Sequence, residues 1–88
     1  MAKKEDFEWE VYIVEAENGK LYTGIAKDSA RRFEEHMNSP KGAKFFRSTK
    51  PKRIVYIEKV LDRSAASKRE AAIKKLSRKS KLELAGKK

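Results

Sequence analysis

Residues 9–26 read W-E-V-Y-I-V-E-A-E-N-G-K-L-Y-T-G-I-A, and the fold is decided here. Trp9 to Val14 is β-branched and aromatic, Leu21 to Ala26 is a second segment of the same kind, and Glu17-Asn18-Gly19-Lys20 parts them. Such side chains suit a half-buried pleated surface. Asn-Gly supplies the positive φ values of a type I′ turn, so a β-hairpin closed by that turn is expected. Downstream, Asp28 stands as N-cap of a helix of about ten residues with Ala30, Phe33 and Met37 on its apolar side, closed by Asn38-Ser39-Pro40. Lys41 to Ser48, K-G-A-K-F-F-R-S, reads as a loop or a helical turn or two, ended by Pro51. Arg53 to Val60 is a third strand, and its compact apolar run Ile54 to Ile57 predicts a central or well-covered position. Asp62 or Ser64 opens a helix reaching Arg78, with Ala65, Ala66, Ala72, Ile73 and Leu76 on its apolar side. Lys79 to Ala85 forms a last short helix closed by Gly86. The order β-β-α-(α)-β-α-α predicts an α+β fold, a small three-stranded β-sheet covered by helices. Residues 8–85 are expected as one domain between flexible ends, 1–7 and the basic tail 86–88.

The chain has 88 residues and no cysteine, which excludes disulfides and Cys-based zinc sites. It shows neither a signal peptide nor an apolar run approaching the ~20 residues of a membrane span, and a cytoplasmic protein is expected. With 23 Lys+Arg against 13 Asp+Glu the net charge is +10. That charge is uneven: residues 1–19 carry two bases and six acids, whereas residues 20–88 carry 21 bases and seven acids. A polyanion is the natural partner for the second part.

Four features follow one another along the chain: V-Y-I at 11–13, Y-T-G at 22–24, Asp28–Arg32–His36 at intervals of four, and Glu70 within a basic helix. In this order and spacing the sequence resembles the GIY-YIG nuclease superfamily over about residues 8 to 82, closest to its small stand-alone bacterial branch. The resemblance implies a metal-dependent endonuclease that hydrolyses phosphodiester bonds in structured or single-stranded nucleic acid, in DNA repair or processing, with DNA ahead of RNA. It implies that Tyr12 and Tyr22 face one pocket and that one of them, or a hydroxide beside it, is the general base. Arg32 then holds the scissile phosphate, His36 stands near the nucleophile, and Glu70 binds one Mg²⁺ or Mn²⁺. Departures from the family pattern are Glu10 at a glycine position, Thr23 at an aliphatic one, Ile25 where repair nucleases carry lysine, and no asparagine after the Glu70 helix.

Read without the family, the residues are compatible with these roles. Arg32 and His36 at i and i+4 share one side of a helix, and an Arg–His face with no acid between them suits a phosphate. His36, the one histidine, has a reference pKa near ~6.5 and could exchange protons at neutral pH. From Arg63 to Lys81 there are eight bases and one acid, Glu70, placed at the edge of the apolar stripe. A carboxylate there wants a cation, either a neighbouring Lys or Arg or a metal. The phenols, with pKa near ~10, would need lowering to act as bases. Lys27, Arg31, Lys44, Arg47, Lys74 and Arg78 are expected to grip the nucleic-acid backbone, with Arg31 also open to pairing with Glu34 or Glu35 on the helix face. Phe45 and Phe46 either stack on an unpaired base or anchor their segment to the core. A monomer is expected, and a protein partner for substrate selection is left open. The competing readings are a catalytically weak or inactive nucleic-acid-binding module of the same fold, and a scaffold meeting an acidic protein.

Overall fold

The computed structural model describes residues 8–38 and 49–86. Three strands, β1 (Trp9–Ala16), β2 (Leu21–Ala26) and β3 (Pro51–Val60), and three helices, α1 (Ser29–Asn38), α2 (Arg63–Lys74) and α3 (Arg78–Leu84), follow in the order β1-β2-α1-β3-α2-α3. The strands form one antiparallel sheet in the order β2-β1-β3. This is the α+β architecture expected, and the segment 39–48, with Lys44, Phe45, Phe46 and Arg47, lies outside the described residues.

The centre of the sheet is β1, not β3. Val11, Tyr12, Ile13 and Val14 are all buried, so β1 is covered on both faces. By contrast β3 is an edge strand with Ile57 46% exposed. It also begins two residues earlier than expected, because Pro51, which needs no ladder N–H, is buried opposite Ala16 at its first position. Register shifts between Ile13 and Val14 and between Glu15 and Ala16 accommodate the pairing, and Arg53 donates to Glu15 across it at 2.8 Å.

Alternation along β1 divides the core in two. Tyr12, Val14 and Ala16 pack with Tyr22, Ala26, Phe33 and Ile54 beneath α1, while Val11 and Ile13 pack with Ala66, Ile73 and Leu84 beneath α2 and α3. The hairpin turn differs from type I′: no non-glycine residue among the described residues has positive φ, and within the turn only Gly19, at φ 84°, enters the left-handed region. Gly19 N–H donates to Ala16 O and Ala16 N–H to Lys20 O, both at 2.9 Å. This is the three-residue loop in which a type I turn is followed by a left-handed glycine.

Helix ends follow local chemistry. Asp28 accepts from Arg31 N–H at 3.1 Å and Asp62 from Ala65 N–H at 2.8 Å, each the N-cap expected and worth about 1 kcal/mol. Gly86, at φ 77°, closes α3. The second helix stops at Lys74 and not at Arg78, because Ser77 takes an extended conformation and its hydroxyl accepts from Ser80 N–H at 3.1 Å, starting α3. On α1 the expected stripe is displaced: Phe33 packs on the core, but Ala30 and Met37 are exposed and the buried positions are Ser29 and His36. The inward face of α1 is thus polar, as a site would require.

Candidate functional site

Tyr12 stands directly opposite Gly24 on β2, and Tyr22 is opposite Val14. Both phenols therefore lie diagonally on the sheet face beneath α1, with ring centroids 6.4 Å apart and planes tilted by 50°. Gly24 is what lets them meet. A Cβ there would fall 2.7 Å from Tyr12 Oη and 2.9 Å from Tyr22 Cε2, so the requirement is for space and not for an unusual backbone angle.

From α1, His36 presents its ring edge-on to Tyr22, with centroids 5.8 Å apart, and is 2% exposed. Arg32, one turn earlier, lies close enough to Tyr12 for its charge to act on the hydroxyl. Burial is nevertheless the largest influence on Tyr12 and, with the neighbouring Tyr22 next, pushes the phenol up to about 12; Arg32 opposes the rise and Glu70 adds to it. The need for a lowered phenol is therefore not met at Tyr12. Burial, assisted by the Arg32 charge, holds His36 below its usual pKa and keeps the imidazole neutral at pH 7.

Glu70 reaches the same field from α2. Its side chain is 23% exposed, and Lys74 one turn on supplies a cation at 3.4 Å. No group of three or more His, Asp or Glu able to hold a metal occurs among the described residues. A lone hard carboxylate is nonetheless a donor that magnesium accepts, since that ion keeps several waters and takes further oxygens from a ligand. Tyr12, Tyr22, Arg32 and His36, separated in sequence, are thus brought together between the sheet and α1, and the charge of Glu70 reaches Tyr12 from α2.

The Arg–His face is not free of acid. Glu35, at i+3 from Arg32, accepts from its guanidinium at 3.1 Å and also pairs with Arg31 at 3.7 Å, the pairing left open for Arg31. Helical spacing alone would have revealed this contact. Glu10 was a second omission: its carboxylate accepts from the buried Ser29 N–H at 2.7 Å and lies 4.0 Å from Lys59, so it pins the start of α1 to the sheet. Its position two residues before Tyr12 fixed its face, but its partner is 19 residues away. Thr23 points the other way, buried toward α2 with its hydroxyl lacking a hydrogen-bond partner among the described residues.

The proposed grip residues are dispersed. Lys27 lies 5.9 Å from the centre of the Trp9 ring, Arg31 pairs with Glu35, Lys74 with Glu70, and Arg78 donates to the Gly19 carbonyl. Lys44 and Arg47 fall outside the described residues.

The model of the GIY-YIG catalytic domain matches residues 8–83. The chain belongs to the GIY-YIG family. Among relatives, it is similar to a UPF0213 protein of Desulfotalea psychrophila, 56% identical over 69 residues, covering 78% of this chain and 63% of that protein. To a UPF0213 protein of Pseudomonas aeruginosa it is 49% identical over 73 residues, covering 83% of this chain and 69% of the other. The chain thus spans less than two thirds of the length of the Desulfotalea relative. The solution NMR structure of a UPF0213 protein from Bacillus halodurans has the same fold, with a TM-score of 0.55 and 37% identity, covering 89% of this chain and 82% of that one. Within the GIY-YIG pattern, V-Y-I at 11–13 and Y-T-G at 22–24 are the two motif halves, here adjacent on β1 and β2. Membership supports a nuclease-like role. No helix among the described residues is long and apolar enough to cross a membrane.

Proposed function

We propose that this GIY-YIG domain is a metal-dependent endonuclease acting on structured or single-stranded nucleic acid, DNA ahead of RNA, in repair or processing. The observation that supports this reading is the packing of Tyr12 against Tyr22 and of Tyr22 against His36, with Arg32 beside the Tyr12 hydroxyl. Such a cluster, within a chain of net charge +10, suits a phosphodiester.

Arg32 neutralises charge on the phosphoryl oxygens, exchanging Glu35 for phosphate as the substrate arrives. Tyr12 keeps its proton at neutral pH and orients the attacking water by hydrogen bonding. The neutral imidazole of His36, packed against Tyr22, accepts the water's proton through that phenol. As water adds to phosphorus, the bond to the 3′ oxygen breaks and that oxygen takes up a proton from solvent water, to which His36 releases its own afterwards. Glu70 is the residue that would hold Mg²⁺ or Mn²⁺, displacing Lys74; when bound, such an ion stabilises charge on the phosphoryl and leaving oxygens. One protein ligand implies weak metal binding in the absence of substrate.

The test is cleavage of labelled single-stranded, duplex, flap and four-way-junction substrates, as DNA and RNA, with Mg²⁺ or Mn²⁺. Glu70→Gln and Tyr22→Phe should each lose at least about 100-fold in rate while still binding. Salt-sensitive binding with no cleavage of any substrate by the wild type would instead identify a non-catalytic binding module.

A further inference from the structure

We propose that the cleft between the β1–β2 turn and α3 is a second phosphate site, taking a backbone phosphate of the bound nucleic acid away from the bond to be cut. The proposal rests on the nucleic-acid reading above and adds a location to it. The cleft holds about 250 Å³ and is lined by Lys20, Leu21, Arg78 and Lys81. Three of these four residues are cationic and none is acidic. Elsewhere, Arg31, Arg32, Arg53, Lys59, Arg69 and Lys74 each have a carboxylate within 4.0 Å. Lys20, Arg78 and Lys81 make no ion pair among the described residues, so their charge is uncompensated where it is concentrated.

The site is also braced. A guanidinium nitrogen of Arg78 donates to the carbonyl of Gly19, 59 residues away in sequence, which ties α3 to the turn. One donor of the five-donor fork is used, and the others remain to bind phosphate oxygens. Lys81, one helical turn after Arg78, is half-buried on the same side, and Leu21, packed against the core, gives the cleft an apolar floor. A single residue of β2, Leu21, separates Lys20 from Tyr22, roughly 7 Å at the rise of a strand. Because β2 is an edge strand, a polynucleotide engaged at the tyrosines on one face can pass round that edge onto the cleft on the other, whereas an isolated anion would have no reason to span both.

The experiment measures binding of a labelled oligonucleotide to the full chain by fluorescence anisotropy across a salt series, with circular dichroism to confirm folding. Lys20→Gln/Lys81→Gln should weaken binding at low salt and reduce the slope of log K against log salt by about one to two, the loss of one or two phosphate contacts. The rate at saturating substrate should stay at the wild-type value. A Lys52→Gln/Lys68→Gln variant, with the same loss of charge outside the cleft, should change less; an equal fall in both variants overturns the proposal. Amide signals of Lys20 and Lys81 that shift with inorganic phosphate alone but not with the oligonucleotide also overturn it, assigning the cleft to a free anion. Wild-type binding without cleavage removes the nuclease reading and leaves the cleft assignment standing, and wild type that binds no nucleic acid removes both.

Discussion

At neutral pH the Tyr12 phenol is protonated, and its displacement to about 12 links folding to alkaline pH. The folded state holds this proton more tightly than the unfolded chain, where a tyrosine titrates near ~10. Tyr12 therefore contributes its full share below pH ~10 and loses it as pH rises through about 12, a difference of about 2–3 kcal/mol for a shift of this size. Replacing Tyr12 by Phe retains the ring beside Gly24 and removes the titrating group. Urea unfolding at pH ~9 and pH ~11 should show a smaller alkaline loss in the variant than in the wild type; parallel losses would refute the linkage. The residue types of the site, Tyr12, Tyr22, Arg32, His36 and Glu70, were legible because their order and spacing are one-dimensional. Their environments were only partly so: the Glu35 contact to Arg32 follows from i,i+3 spacing, whereas the rise at Tyr12 comes from burial that only the packing of α1 on the sheet creates.

Among elements, α1 is oriented by a contact from another part of the chain. Glu10 occupies a position where the family has glycine, and its carboxylate satisfies Ser29 N–H, one of the donors that a helix start leaves open. Glu10→Ala would leave that buried donor unpaired and should cost about 1–3 kcal/mol in urea unfolding. Glu10→Gln, whose amide oxygen can still accept, should lose less. Were the Ala and Gln variants equally stable, the bond would contribute nothing. Elements set by local chemistry were legible in advance, namely the hairpin and the caps at Asp28, Asp62 and Gly86. Sheet order was not. Val11–Val14 and Ile54–Ile57 are both continuous apolar runs, and only the packing of α1 and α2 on opposite faces of β1 decides which is central. The break between α2 and α3 was expected, but a few residues too late: Ser77 can cap a helix or sit within one, and its extended backbone selects the cap.

For the whole molecule, charge and core are distributed at different places. The two buried clusters both centre on β1, while α3 contributes no fully buried residue and is held by Leu84 against the core and by Arg78 on the Gly19 carbonyl. Net charge and the site residues could be read from the sequence, but the assembly of Lys20 with Arg78 and Lys81 required the tertiary fold, since they lie on a turn and a helix 58 residues apart at their nearest. Seven residues anchored this lightly are expected to open before the rest of the fold. In hydrogen exchange, α3 amides should lose their deuterium labelling delay well before those of β1, whose protection reports global unfolding. Adding oligonucleotide should slow exchange in α3 while leaving β1 unchanged; equal exchange in both elements would contradict the picture. The break between helices at Ser77 thus gives the molecule a last element anchored on its own, and the time an amide there takes to exchange becomes a clock for substrate occupancy.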